Sequence, residues 1–231
     1  MSDRENLFRP VHKGIRSMIF ETGLKLGTAD FADVPGTNAL AGQLRHDLAS
    51  STANCVLCLL YVHSQHEEAD FFSAIRQFDK DVVDLMMAEH AVVVRRIQGV
   101  AKTCDELLAL TDPRRRREVG DRLNLEANDL FAFYLSHLNN EEAVLVPVMW
   151  ERFTDEQLRG FRAQFYNHIP LARFEDWMRW TLPALNEHEL EILLTGMRSD
   201  PPPNRFADAV RVGREAVPAD RWSTVERRLT A

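Results

Sequence analysis

The chain has 231 residues, a formal net charge of −7 and only 10 glycines. The negative charge argues against nucleic-acid binding, and no apolar run reaches the length of about 18 residues that a membrane span needs. We find no charged-then-apolar N-terminal leader, and three cysteines are a small and odd number, so we expect a protein of the reducing cytoplasm. Helix formers are plentiful and no alternating strand pattern occurs, which predicts an all-α protein.

The first part of the chain predicts four amphipathic helices joined by short connections. Thr37 or Asn38 is expected to cap a long second helix that reaches Phe78, and Thr111-Asp112-Pro113 separates the third helix from the fourth. The helices are expected over these ranges: 9–26, 37–78, 82–110 and 113–153. This pattern is typical of an antiparallel up-down four-helix bundle.

Residues 154–231 predict an appended helical region of five short helices without one long apolar stripe. Thr154-Asp155-Glu156-Gln157 and Asn186-Glu187-His188-Glu189 resemble capping boxes, and Pro201-Pro202-Pro203 is a stiff spacer. The expected helices are 154–167, 171–182, 186–198, 204–216 and 219–229. We therefore divide the chain into a bundle at 1–153 and a C-terminal extension at 154–231, which packs either on the bundle or on a second subunit.

The fourth helix has one apolar face that is interrupted only by His137 and Glu141, one turn apart. The second helix repeats the same spacing with His63 and Glu67, again inside an apolar stripe. Burying an unpaired carboxylate costs several kcal/mol, so each core-facing pair needs a partner, and a metal ion is the simplest one. The two pairs are therefore interpreted as two halves of one metal site.

Two more histidines lie on or beside apolar stripes, His12 in the first helix and His90 in the third. Two octahedral ions offer about 12 coordination positions, which four imidazoles, two bridging carboxylates, an oxo or hydroxo bridge and open or water-filled places can fill. A ligand set without thiolate favours iron or manganese, and zinc stays an alternative. The predicted metal ligands are His12, His63, Glu67, His90, His137 and Glu141.

Other polar residues near these motifs have simpler interpretations. His66, spaced to pair with Asp70, rivals His63 as a ligand but lies about 60° off the stripe. Tyr134 either packs in the core or hydrogen-bonds a bound ligand. Three acidic residues are expected to form salt bridges or to orient histidines rather than to bind metal: Glu68, Glu89 and Glu142.

Several conspicuous residues are expected to be structural. Cys55-x-x-Cys58 lies in the middle of a predicted helix, where two buried small hydrophobic residues are favoured over a redox or zinc pair. The basic run Arg114–Arg117 is interpreted as a solvated helix start, with phosphate or partner binding as the alternative. His46 is expected at the surface, and His168 and His188 are expected to be structural residues of the extension.

The order His12, His63-x-x-x-Glu67, Glu89-His90, His137-x-x-x-Glu141 resembles the hemerythrin-like (HHE cation-binding) family over about residues 8–153. The resemblance implies a four-helix bundle with two iron ions that bind dioxygen, nitric oxide or a peroxide-type ligand. It also implies that the four histidines are terminal iron ligands and that Glu67 and Glu141 bridge the irons.

The chain departs from the oxygen-carrying hemerythrins in its third helix. Their third helix supplies two histidines one turn apart, whereas here Met86 and Val94 flank His90. The additional open position favours sensing, peroxide or nitric-oxide chemistry, or iron handling over simple oxygen carriage. We therefore predict a di-iron protein that binds or reacts with a small ligand. Two alternatives are a regulatory module that senses iron or redox state, with a protein partner or second copy on 154–231, and a zinc- or manganese-loaded structural bundle.

Overall fold

A computed structural model describes residues 4–45, 55–200 and 204–230 of the chain. Within these ranges the backbone forms helices and no strand, which confirms the all-α prediction. The helices are α1 (Arg9–Gly27), α2 (Val34–Leu44), α3 (Val56–Glu67), α4 (Ser73–Arg76), α5 (Lys80–Ala109), α6 (Pro113–Arg152), α7 (Asp155–His168), α8 (Leu171–Ala184), α9 (Glu187–Ser199), α10 (Phe206–Ala216) and α11 (Ala219–Thr230). A π-helical turn, Glu68–Phe72, joins α3 to α4.

Most helix ends follow from short polar signals in the sequence. The side chains of Asp79 and Asp112 accept hydrogen bonds from the first turns of α5 and α6. Both predicted capping boxes form, at Thr154 before α7 and at Asn186 before α9. None of the described helices is both long and apolar enough to cross a membrane.

The prediction of one continuous second helix is wrong. α2 begins earlier than expected, with Asp33 at its N-cap position and Pro35 in its first turn. Arg45 and Cys55 both have extended backbone, so α2 and α3 are separate helices. The intervening residues, including His46, lie outside the described part of the chain.

The two cysteines of the Cys-x-x-Cys motif are buried as predicted, but they do not lie in the middle of a helix. Cys55 is the N-cap of α3, and its Sγ accepts a hydrogen bond from the Cys58 N–H at 3.1 Å. The two residues form a disulfide, so the expectation of two reduced side chains is wrong. Cys104 is the free cysteine of the described residues, and it is buried.

The long helices α5 and α6 run antiparallel to each other. Glu89 contacts His137 near one end of the pair, and Thr103 donates to Glu126 further along, at 2.5 Å. Between these two contacts the residue number increases along α5 and decreases along α6, so the two helices run in opposite directions. α3 packs against both α1 and α5.

α1 lies antiparallel to α6 by the same criterion. His12 contacts Glu142 at 3.0 Å, and one turn later Arg16 donates to Asn139 at 2.9 Å. The core among these helices is apolar and closely packed, and its members include Met18, Leu60, Met86 and Leu130, each at most 1% exposed.

The C-terminal helices pack on the N-terminal ones within the same chain. α8 lies along α1, and a Cβ added at Gly14 would lie 2.8 Å from the Thr181 Cα. Buried Arg162 of α7 pairs with Glu5 at 2.5 Å and with Asp200 at 2.7 Å. Packing on the same chain is therefore the alternative that the structure supports, while the domain boundary at residue 153 stays a prediction.

One residue of the basic run is not solvated as expected. The side chains of Arg114, Arg115 and Arg117 are exposed, but Arg116 is fully buried. Its guanidinium donates to five oxygens from three parts of the chain: Phe31 O, Leu107 O, Leu110 O, Thr37 Oγ1 and Asn38 Oδ1. Arg116 therefore holds α2, α5 and α6 together at the end of the molecule where α6 begins.

Candidate metal centre

The six predicted metal ligands meet at one place in the core. Four helices bring them there: α1 with one residue, α3 with two, α5 with one and α6 with two. Each of the six is at most 3% exposed: His12, His63, Glu67, His90, His137 and Glu141. The apolar stripes therefore located these residues correctly, because a histidine or glutamate inside such a stripe faces the common core.

The carboxylate of Glu67 lies between histidines of three helices. Its Oε1 is 3.6 Å from His12 Nε2 and 3.1 Å from His63 Nε2. Its Oε2 is 3.5 Å from His90 Nε2 on the other side. One oxygen of Glu67 thus faces two imidazoles, and the other faces a third.

Glu141 repeats this arrangement from α6. Its Oε2 is 3.4 Å from His12 Nε2, while its Oε1 is 3.4 Å from His90 Nε2 and 3.2 Å from His137 Nε2. Both glutamates therefore present one oxygen to the His12 side and the other to the His90 side. A carboxylate placed in this way can bridge two cations.

Apart from the contacts of 3.1–3.6 Å among themselves, several buried atoms of these six side chains have no hydrogen-bond partner within the described residues. They are His12 Nε2, both ring nitrogens of His63, both oxygens of Glu67, Nε2 of His90 and of His137, and both oxygens of Glu141. Buried charged and polar groups are normally paired, so a cluster of unpaired donor atoms at one point fits a cation.

Two overlapping groups of side chains could each hold a metal ion. The ligand atoms of each group lie within 4.8 Å of one another, and the groups are His12, His63, Glu67, Glu141 and Glu67, His90, His137, Glu141. Because Glu67 and Glu141 belong to both groups, the geometry fits two cations that share two carboxylates. The donor set, imidazole and carboxylate without thiolate, is the one expected from the sequence.

Carboxylates outside the cluster orient three of the four imidazoles. Each accepts a hydrogen bond from an Nδ1 at 2.7–3.0 Å, in the pairs His12–Glu142, His90–Glu68 and His137–Glu89. Such a bond fixes the ring and leaves the Nε2 lone pair for a metal. His63 differs, because its Nδ1 has no partner in the described part of the chain.

The carboxylates also set the protonation of the buried histidines. Burial alone would lower the pKa of His12, but hydrogen bonds to Glu142 and Glu67 outweigh burial and raise this pKa to about 9. The same balance raises the pKa of His90 to about 10. Without a cation, these imidazoles therefore carry protons at neutral pH, and a metal ion would take the place of those protons.

The histidines in turn keep the two central glutamates ionised. Burial would raise the pKa of Glu67, but the charge of His63 and hydrogen bonds with the surrounding histidines hold this pKa well below its usual value. In Glu141, burial and the charge of Glu67 raise the pKa, and the contacts with His137 and His90 outweigh both. Both carboxylates are therefore available as anionic ligands.

The rival ligand His66 lies outside the cluster. Its ring packs against Phe165 and Trp177, with ring centroids 5.5 and 5.4 Å away. Burial lowers the pKa of His66 to about 4, so this imidazole is neutral at pH 7. Its expected partner Asp70 instead lies 3.5 Å from Nδ1 of His168.

Tyr134 belongs to the core, and its hydroxyl does not hydrogen-bond to the cluster. Its O–H donates to the backbone oxygen of Leu60 at 3.0 Å. Burial raises the pKa of this phenol well above its usual value. Core packing is therefore the better of the two interpretations of Tyr134.

His188 lies exposed in the extension, away from both metal-binding groups.

Two aromatic neighbours of the cluster were not predicted. Phe72 stacks on His90, with ring centroids 5.3 Å apart, because the π-helical turn adds a residue that lets both Phe71 and Phe72 face the core. Trp177 of α8 lies edge-on to His63, with ring centroids 6.2 Å apart. No spacing rule connects residues so distant in sequence, so only the packing of α8 could place Trp177.

The helices and the buried histidine–carboxylate cluster define a helical cation-binding protein. The family model of the hemerythrin HHE cation-binding domain matches residues 5–149, which is more than half of the chain. This chain therefore belongs to the hemerythrin HHE cation-binding domain family, as its motifs predicted. No curated protein and no solved structure matches the chain.

Proposed function

We propose that this chain is a non-haem di-iron protein that binds or reacts with dioxygen, nitric oxide or a peroxide. The observation that carries the proposal is the pair of buried four-residue groups that share Glu67 and Glu141. His12 and His63 would hold one ion and His90 and His137 the other, with the two glutamates as bridges. When bound, the two irons supply the redox chemistry that such ligands need.

The protein's own contribution is to orient and enclose the ligand atoms. Glu142 holds Nδ1 of His12 and is itself held by Arg16, whose guanidinium lies 2.8 Å from it. Glu89 holds Nδ1 of His137 and also accepts a bond from the Asn140 side chain at 2.9 Å. These contacts keep the imidazoles aimed inward before any ion arrives, which lowers the cost of binding.

We further propose that α1, α3, α5 and α6 form the antiparallel four-helix bundle that the sequence predicted. The antiparallel pairs α1–α6 and α5–α6 and the contacts of α3 with α1 and α5 support this topology. Each of the four helices also contributes one histidine to the same place in the core, as a metal site inside a four-helix bundle requires.

The third helix supports a reactive or sensing role over simple oxygen carriage. Met86, one turn before His90, is fully buried and offers a thioether in place of a second imidazole. Six protein ligands for two ions leave several positions for exogenous ligands and water. We therefore propose either turnover or sensing. The number of peroxide molecules consumed per iron distinguishes them, because an enzyme consumes many and a sensor does not.

Metal analysis and ligand spectroscopy test the proposal. The full chain is loaded with ferrous iron without air, and we expect about two irons per chain, as the two ligand groups require. Exposure to air, nitric oxide or hydrogen peroxide should then change the absorption spectrum. His137→Ala should lose both iron and spectrum, whereas His188→Ala, an exposed histidine outside the cluster, should keep both. A chain that holds two irons and stays spectroscopically inert, or that takes up only zinc, contradicts the proposal.

A redox-sensing regulatory role is the second candidate, and the Cys55–Cys58 disulfide favours it. The disulfide caps α3, the helix that carries His63 and Glu67. In the cytoplasm, where we continue to place this protein as a prediction, disulfides are mostly transient and regulatory. A sensor of this kind should change its iron affinity when the disulfide is reduced, and Cys58→Ser should reproduce the reduced behaviour. Equal iron affinity in the oxidised, reduced and mutant forms would eliminate this candidate.

A further inference from the structure

A small apolar cavity lies beside the His12–His63 half of the cluster. Its volume is about 20 Å³, the space for one water-sized molecule. Eight residues line it, and Thr181 is the one polar side chain among them. Val11 precedes His12 on α1, and Leu59 lies one turn before His63 on α3. Trp177 closes the cavity from α8 and contacts the His63 ring. An apolar cavity of this kind excludes ions and accepts small apolar molecules.

A larger groove lies next to the cavity, with three side chains as common walls. The groove has a volume of about 230 Å³ and shares Met18, Leu59 and Trp180 with the cavity. Its outer rim carries Glu21 and Lys25. The groove and the cavity therefore adjoin each other, and the cavity lies between α1, α3 and α8 near His12 and His63.

The opposite half of the cluster has a different environment. His90 is covered by the stacked ring of Phe72, and its Nδ1 is bound by Glu68. His137 is bound by Glu89 at 2.7 Å. Charged carboxylates on this side favour water and protons over an apolar molecule.

His63 is the imidazole best suited to yield to an arriving ligand. Its Nδ1 lacks the carboxylate that restrains the other three rings, although the side chain is only 3% exposed. The ring of Trp177 contacts the His63 ring at an angle, with ring centroids 6.2 Å apart.

We propose that a small neutral ligand reaches the metal site through this cavity and arrives at the His12–His63 half, with α8 as the outer wall of the passage. The proposal rests on the metal site of the proposed function, and it gives the C-terminal extension a role in ligand access. The ligand class is a neutral diatomic molecule, because a hydrated anion would lose its water in an apolar cavity of this size.

Xenon tests the passage without relying on iron. Xenon occupies dry apolar cavities, so in the full chain with ¹³C-labelled methionine methyls we expect xenon to shift the Met18 signal. Met197, which is buried in α9 away from the cavity, is the internal control. Leu59→Phe should abolish the shift, whereas His188→Phe, in a separate depression that shares no lining residue with the cavity or the groove, should leave it unchanged.

The rate of nitric-oxide binding tests whether the passage is used. In the ferrous protein, Leu59→Phe should slow association at least about tenfold, which corresponds to a barrier higher by about 1.4 kcal/mol. Trp180→Ala, which widens the shared stretch at a half-buried position, should speed association or leave it unchanged. His188→Phe should bind nitric oxide at the rate of the unaltered protein. The final spectrum should be the same in all four proteins, since none of these residues is a metal ligand.

The possible failures are distinguishable. A chain that takes up no metal overturns the proposed function, and this is known from elemental analysis before any rate is measured. In a chain with two irons, an unperturbed Met18 methyl overturns the passage. An association rate that Leu59→Phe leaves unchanged also overturns the passage, whatever the xenon result, and in both cases the metal site stands.

Discussion

Glu141 and Glu142 are neighbours in sequence and act differently because they leave α6 in different directions. Glu141 is fully buried, and both of its oxygens point into the cluster without a hydrogen-bond partner. Glu142 is part-exposed and faces Arg16 and the back of His12. Burial would raise the pKa of Glu142, but the bonds to His12 and Arg16 lower it to about 2. One glutamate is thus placed as a ligand and the other as a support for a ligand.

The pair gives a matched test at the residue scale. Glu141→Gln removes a bridging anion and should cost the chain at least one iron, whereas Glu142→Gln should keep both irons and weaken binding by about 10- to 100-fold, as expected for loss of a partner behind a histidine. Elemental analysis and iron titration under chelator competition measure the two effects. Equal iron content and affinity in the two variants would refute the assignment of roles.

The sequence located the six cluster residues, but it could not assign the supporting carboxylates to their histidines. A histidine or glutamate within an apolar stripe faces the core whatever the neighbouring helices do. Glu68, in contrast, begins the π-helical turn after α3 and supports His90 of α5. That choice depends on the relative heights of the helices, which no single helix pattern contains.

At the scale of elements, Arg116 shows that the exposure of a side chain can be predicted wrongly from the residues next to it in sequence. Three of the four residues in its basic run are solvated, but the start of α6 lies against α2, so one guanidinium is covered. The hydrogen-bond partners of this guanidinium are five uncharged oxygens, and none of them belongs to a carboxylate. The end of α5 and the start of α2 therefore depend on one buried cation.

Replacing this cation should destabilise the fold without emptying the metal site. Arg116→Met leaves buried oxygens without a donor and should lower the free energy of unfolding by about 3 kcal/mol. The exposed neighbour Arg115→Met should change it by no more than about 0.5 kcal/mol. Denaturant unfolding of both variants measures the difference. Iron content should be unaffected, since His137 lies about 30 Å further along α6, and a loss of iron would contradict this.

The close approach of α1 and α8 gives a second test at this scale. A Cβ at Gly14 meets backbone atoms of Thr181, so the two helices must move apart. Gly14→Ala should therefore lower the free energy of unfolding by about 1–3 kcal/mol. Gly27→Ala, in the same helix with open space around it, should be neutral or stabilising by up to about 1 kcal/mol. A neutral Gly14→Ala in denaturant unfolding would show that α8 does not depend on this contact.

At the scale of the whole molecule, the sequence predicted helices well and their mutual packing poorly. Caps and prolines mark helix ends locally, so α5 to α9 begin and end within about two residues of the expected positions, the usual uncertainty of helix ends. The separation of α2 from α3, the buried Arg116 and the contact of Trp177 with His63 depend on where distant segments lie. The sequence left open whether the extension packs on the bundle or on a second subunit, and α8 buries Trp177 beside the cluster.

The charges at the centre make the stability of the whole protein depend on pH in opposite ways with and without metal. In the metal-free protein, His12 and His90 have pKa values raised from 6.5 to about 9 and about 10. A group with a raised pKa stabilises the fold fully below its unfolded value, and this contribution is lost as the pH rises through the folded value. The metal-free protein should therefore become less stable from about pH 6.5 upward.

The iron-loaded protein should show the reverse over the same range, because the imidazoles must release their protons to bind metal and the protons compete less as the pH rises. The gap between the unfolding temperatures of the loaded and chelator-treated protein should therefore widen between about pH 6.5 and pH 9. Thermal unfolding at several pH values, at fixed ionic strength, measures this gap. His188→Ala, which removes an exposed histidine outside the cluster, serves as the control and should leave the gap unchanged. Parallel curves for loaded and metal-free protein would mean that the ions do not bind at the raised-pKa histidines.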